Sequence, residues 1–117
     1  MSEVRLKEVE FLGNSRSVIR GFPADVRQDF GGELQRLEKG ELPLDSGPMA
    51  PVLPGVFELR TQDKDLWYRL FYYIRGEVIY VLRCFTKKTN KTPQGDIEIG
   101  RTRLSDLKQQ LAKTKKH

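Results

Sequence analysis

VFELRTQDKDLWYRLFYYIRGEVIYVLRCF, residues 56–85, is the stretch that decides the fold. It divides into three runs rich in β-branched and aromatic residues, 56–60, 66–75 and 77–85, separated by Thr61-Gln62-Asp63-Lys64-Asp65 and by Gly76. Such a pattern reads as an antiparallel meander. If the first two runs pair about Asp63-Lys64, Arg60 lies opposite Trp67 and Glu58 opposite Arg69, all on one face. Phe57, Leu59, Tyr68, Leu70, Tyr72 and Ile74 then share the other face, a mostly apolar set that reads as core. The first face interleaves Arg60 and Arg69 with Trp67, Phe71 and Tyr73. Guanidinium groups bind phosphate in bidentate fashion and rings stack on bases, so this mixture suits single-stranded RNA. The plainer alternative is that both arginines pair with Glu58 and Asp65 across the strands.

Upstream, residues 5–12 alternate, with Lys7, Val9 and Phe11 on one side and Glu8 and Glu10 on the other, as in a strand with one wet face. Gly13 and Asn14 break it, and Ser15 or Ser17 is placed to cap a short helix carrying Val18 and Ile19. Pro23 opens a longer helix in which Phe22, Val26, Phe30, Leu34 and Leu37 recur at helical spacing, with Gly40 as a stop. Gly31 and Gly32 inside it either weaken the helix or mark a close contact. Residues 41–55 hold Pro43, Pro48, Pro51, Pro54 and two glycines, the composition of an extended crossover without regular structure. Downstream, Ile97, Leu104, Leu107 and Leu111 form one stripe of a basic helix starting within residues 93–96. The predicted fold is therefore α+β, in the order β-α-α-β-β-β-α. It has a mainly antiparallel sheet with its helices on one face and the other face open to a ligand.

The chain of 117 residues fits one domain, its last five residues forming a frayed basic tail. Cys84 is the lone cysteine, so no internal disulfide or cysteine-based zinc site exists, and a buried reduced thiol is expected. No apolar run approaches membrane-spanning length and the N-terminus is charged where a signal peptide is apolar, which predicts a cytoplasmic protein. Charge is segregated. Residues 83–117 carry ten Lys/Arg against three Asp/Glu, a net +7, whereas residues 1–82 carry eleven against thirteen, a net −2. A basic end of this kind suits a polyanion partner, although Lys113, Lys115 and Lys116 read equally as a solvated tail. Nothing in the pattern calls for a cofactor, and Asp63, Asp65 and Glu58 are a poor set for a metal.

Val81-Leu82-Arg83-Cys84-Phe85-Thr86-Lys87-Lys88-Thr89-Asn90-Lys91-Thr92-Pro93, followed by Asp96-Ile97-Glu98 and Arg103-Leu104, resembles the Phe-x-Lys-Lys, Lys-Thr-Pro and acidic-helix ending of the HigB branch of the RelE/ParE toxin superfamily, in its phage-derived subgroup. Phe57-Glu58-Leu59-Arg60 and Tyr68-Arg69-Leu70-Phe71-Tyr72 are similar to that family's two arginine-bearing strands, and residues 15–23 to its short first helix. The resemblance spans nearly the whole chain. It implies a toxin of a type II toxin–antitoxin system, monomeric alone and hetero-oligomeric with a helix-turn-helix antitoxin. It further implies ribosome-dependent, metal-independent cleavage of messenger RNA, in which a ribose 2′-hydroxyl attacks the adjacent phosphate.

On this resemblance Arg60 and Arg69 hold the scissile phosphate, and Lys87, with Lys88, stabilises charge or transfers a proton. Trp67 and Phe85 stack on bases or pack in the core, Arg83 contacts RNA, and Lys91 contacts ribosomal RNA. The family usually has His at the position of Arg83 and Gln at that of Thr86, so no imidazole serves there; the only histidine is the terminal His117. Two other functions remain open: inhibition of DNA gyrase, as in the ParE branch, and noncatalytic binding of nucleic acid or antitoxin.

Overall fold

The computed structural model describes residues 6–49, 53–88 and 93–114. The chain order is β1 (Glu8–Phe11), α1 (Ser15–Arg20), α2 (Ala24–Glu38), β2 (Ser46–Pro48), β3 (Val56–Asp63), β4 (Leu66–Arg75), β5 (Val78–Lys87) and α3 (Gln94–Thr114). The sheet order is β1-β5-β4-β3-β2. β1 runs parallel to β5, and every other pairing is antiparallel. The α+β class and the mainly antiparallel sheet stand as predicted. Among the described residues, no helix is long and apolar enough to cross a membrane.

The expectation that all helices share one face is corrected. β4 is buried on both sides, and successive strand residues point to opposite faces. Tyr68, Leu70 and Tyr72 join a core with Val26, Phe30, Leu34 and Leu37 of α2 and with partly buried Val18 and Ile19 of α1. Phe71 and Tyr73 instead join a second core with Leu53, Leu82, Phe85 and the Ile97, Leu104 and Leu107 stripe of α3. A sheet apolar on both faces needs cover on both, so α3 packs opposite α1 and α2. It approaches closely at Gly100, where an added Cβ would sit 3.3 Å from Phe71 Cδ2. Gly31 and Gly32 in α2 have nothing near them, so they mark no close contact.

Two further expectations change. The β3–β4 register runs Arg60 to Arg69, Gln62 to Trp67 and Asp63 to Leu66, offset by two residues from the predicted pairing. The turn is the two residues Lys64-Asp65, with Lys64 at φ 57°, and β3 extends to Asp63. Because the side-chain period is two, this slip changes partners and keeps every residue on its predicted face. Within the proline-rich crossover, Ser46–Pro48 forms a short edge strand on residues 57–59. Proline is tolerated there because an edge strand has one side free of ladder bonds.

β5 carries a bulge that matters for the site. Arg83 pairs with Phe71, but Val81 pairs with Tyr72, so Leu82 is an extra residue. The bulge shifts the alternation by one. Leu82 and Arg83 therefore both face α3, and Phe85 and Lys87 follow them onto the face that carries Arg60, Trp67 and Arg69. Without it, those three β5 residues would turn toward the α1–α2 core.

Midway along α3, Arg103 Nη1 donates to the Leu82 carbonyl at 2.8 Å and Nη2 to Asn14 Oδ1 at 2.9 Å. Asn14, not a serine, occupies the N-cap of α1, and its side chain makes no cap bond because it accepts from Arg103.

Candidate functional site

α3 covers only part of its sheet face. Beyond its edge, toward the β3–β4 turn, the same face presents Glu58 and Arg60 from β3, Trp67 and Arg69 from β4, and Lys87 from β5. Three cross-strand rows organise it: Arg60, Arg69 and Phe85; Gln62, Trp67 and Lys87; Glu58, Phe71 and Arg83. Arg69 lies at the middle, with Glu58 and Lys87 diagonally on either side. Adjacent strands are about 5 Å apart, a span that long polar side chains bridge easily.

Two like charges directly opposed across strands repel, and Glu58 relieves the repulsion. Its carboxylate accepts from Arg69 Nη1 at 2.9 Å and lies 3.8 Å from Arg60 Nε. Arg60 reaches a second carboxylate, Asp45, at 3.0 Å. Arg60 is exposed, whereas the Arg69 side chain is only 19% exposed. Arg69 Nε is buried and has no hydrogen-bond partner. An unsatisfied buried donor costs about 1–3 kcal/mol.

Lys87 is half-buried opposite Trp67. Partial burial and, secondarily, the neighbouring Arg69 hold its pKa below the ordinary lysine value, with Glu58 opposing weakly. The ammonium thus gives up its proton more readily than a free lysine does, which suits proton transfer. No histidine is required for such a role.

The remaining candidates differ in what surrounds them. Phe85 is 5% exposed and meets Phe71 edge-on at 5.1 Å, so its ring belongs to the second core and offers no open face for a base. Trp67 is half-buried and lines a cleft with Arg60. Arg83 donates from Nε to Asp96 Oδ1 at 3.0 Å, tying β5 to the first turn of α3. It lies two residues from Phe85, on the opposite side from Lys87, and so is diagonal to Arg69, but its guanidinium is engaged by Asp96. Lys88 follows β5 and is exposed. Lys91 lies outside the described residues.

Glu58 belongs to the cluster although sequence reasoning treated it only as an ion-pair partner; its spacing of two from Arg60 was the available signal. Asp45 carried none, because it lies in the crossover. Among the described residues, no group of three or more His, Cys, Asp or Glu could hold a metal ion. Burial pushes the Cys84 thiol up to about 12, so it is no nucleophile at neutral pH.

Residues 17–105 match the family model described as phage-derived protein Gp49-like (DUF891). The matched span includes Glu58, Arg60, Trp67, Arg69 and Lys87. No curated protein matches the chain.

Proposed function

The chain belongs to the phage-derived Gp49-like family, which is associated with toxins of the RelE/HigB type, and from that premise we propose that it cleaves messenger RNA on the ribosome. The coarser reading is a toxin with an antitoxin partner; the finer one adds the ribosome, the message and the chemistry. The observation that carries it is the diagonal Glu58–Arg69–Lys87 on an open sheet face, with Arg60 beside Arg69.

Arg60 and Arg69 bind the scissile phosphate, Arg60 releasing Asp45 as it does so. Glu58 and Lys87 then flank the phosphate from neighbouring strands. Glu58 accepts the 2′-hydroxyl proton as O2′ bonds to phosphorus. Lys87 donates a proton to the departing 5′-oxygen as the P–O5′ bond breaks. The products are a 2′,3′-cyclic phosphate and a 5′-hydroxyl end. The two guanidiniums neutralise the pentacoordinate intermediate, the kind of electrostatic stabilisation whose loss costs about 10²–10³ in rate.

Chemical analysis of the ends made by purified protein on programmed ribosomes tests this. Cyclic phosphate and 5′-hydroxyl ends, with no cutting at a 2′-deoxy nucleotide, are expected. Ends carrying a 5′-phosphate, or unimpaired cutting at the deoxy position, contradict it. Gyrase inhibition without RNA cleavage would place the chain with the other branch of its superfamily.

A further inference from the structure

A cleft of about 540 Å³ opens between α2 and the outer edge of β3, within the range of roughly 300–1,000 Å³ typical of small-molecule sites. β2 pairs only with residues 57–59, so from Arg60 onward the outer edge of β3 has no strand beside it among the described residues. α2 supplies Asp29 and Gln28 to the cleft, and the sheet supplies Arg60, Gln62 and Trp67. Arg60 and Trp67 also belong to the cluster described above, so cleft and cluster are continuous.

The polar groups are not equally available. Both oxygens of Glu33 are taken by the backbone N–H groups of Leu44 and Asp45, at 3.2 and 3.0 Å, which pins the crossover to α2 and closes one end. Asp29 accepts from the Thr61 hydroxyl through Oδ2 at 2.8 Å, which fixes its carboxylate against β3. Its Oδ1, the side-chain amides of Gln28 and Gln62, and Trp67 Nε1 have no protein partner among the described residues. A flat indole, an oriented carboxylate and two free amides beside a phosphate-binding arginine are the elements that recognise a nucleobase.

We propose that this cleft is a guanine subsite, holding the base of a nucleotide adjacent to the scissile phosphate. The carboxylate decides which base. Guanine is the nucleobase with two adjacent N–H donors on its Watson–Crick edge, N1–H and the N2 amino group, and both can donate to one carboxylate. Adenine and cytosine set a ring-nitrogen acceptor beside their amino group, which would face a carboxylate lone pair. Uracil sets a single N–H between two carbonyls. Gln62 or Gln28 donates to O6, Trp67 stacks on the ring, and Arg60 takes the attached phosphate. The inference rests on the RNA-cleavage reading for its biological role, but binding at the cleft is measurable without it.

Trp67 is the one tryptophan of the chain, so intrinsic fluorescence reports on the cleft directly. Titrations with 3′-GMP, 3′-AMP, 3′-CMP and 3′-UMP should show quenching with a Kd for 3′-GMP at least ten-fold below the others. Asp29→Asn keeps an acceptor for Thr61 but loses the paired acceptors for guanine. It should abolish the difference among nucleotides with an unchanged circular dichroism spectrum. On ribosomes, the wild type should favour cuts next to guanine, and Asp29→Asn should lose that preference. Equal quenching by all four nucleotides, absence of quenching, or a guanine preference that survives Asp29→Asn overturns the subsite. Selective 3′-GMP binding without RNA cleavage upholds the subsite and removes the nuclease reading. Cleavage without selective binding does the reverse.

Discussion

Arg60 and Arg69 stand directly opposite each other across the β3–β4 hairpin, with Glu58 between them at 3.8 Å and 2.9 Å. The arrangement sets two guanidiniums side by side at the expense of cross-strand stability, and one carboxylate offsets part of that repulsion. An anion that bridges both arginines offsets more.

Inorganic phosphate should therefore raise the melting temperature of the wild type, because a ligand binding only the native state stabilises it by mass action. Arg69→Ala should lose most of that response, and Arg60→Ala only part, because Arg60 is exposed and Arg69 is not. Differential scanning fluorimetry over a phosphate series reads the effect. Equal responses in all three proteins would show that the anion binds elsewhere.

Lys87 gives a pH dependence with a definite sign. Its native pKa lies below its unfolded value, so between the two the unfolded state binds more protons and Lys87 makes stability rise with pH. Below the native pKa the charged amine carries its full desolvation penalty. Lys87→Met should exceed the wild type in stability at neutral pH, and the gap should narrow as pH climbs toward the ordinary lysine value. Urea melts at several pH values measure it; a gap that widens with pH contradicts the assignment. Cleavage should also decline on the alkaline side as Lys87 loses its proton, below the ordinary lysine pKa.

Cys84 behaves oppositely. Its thiol is held protonated up to about 12 in the native state, while an unfolded thiol ionises near 8.5. The native state thus binds more protons above the unfolded value, and the thiol makes stability fall as pH rises through that window. Iodoacetamide should label Cys84 at neutral pH only after denaturant is added. Labelling of the folded protein at the rate of a free thiol would contradict the burial.

Gly13 and Arg103 should be energetically coupled. Gly13 adopts φ +56°, and a Cβ there would overlap the Arg103 guanidinium. Gly13→Ala should cost about 1–3 kcal/mol through strain and displacement of Arg103. In an Arg103→Ala background the displacement disappears, and the coupling should be about 0.5–3 kcal/mol. A double-mutant cycle by urea denaturation that returns simple additivity would show that Arg103 yields without cost.

The legibility of this fold varied with the range of the interaction. Alternation in residues 66–75 placed Tyr68, Leu70 and Tyr72 on one face and Trp67, Arg69 and Phe71 on the other, because a two-residue period survives even a two-residue error of register. The stripe of Ile97, Leu104, Leu107 and Leu111 marked α3. Its face went unread although Phe71, Tyr73 and Leu82 already made both sides of the sheet apolar. The bulge at Leu82 left no local signature, because it is set by pairing with β4 and not by β5 itself. Yet it turns Lys87 toward Arg69. The Asp45–Arg60 pair and the Asp29–Thr61 bond join residues 15 and 32 positions apart, beyond the reach of any sequence period.

The central claim is that Arg69 and Lys87 act on RNA bound to the ribosome. Primer extension on a defined message should be run with purified wild type, Arg69→Ala and Lys87→Ala, each with and without ribosomes. The predicted result is ribosome-dependent cuts by the wild type, reduced about 10²–10³-fold in Arg69→Ala and strongly in Lys87→Ala, with all three proteins folded. Cuts of equal intensity from both variants, or no cuts by the wild type on any template, would contradict it.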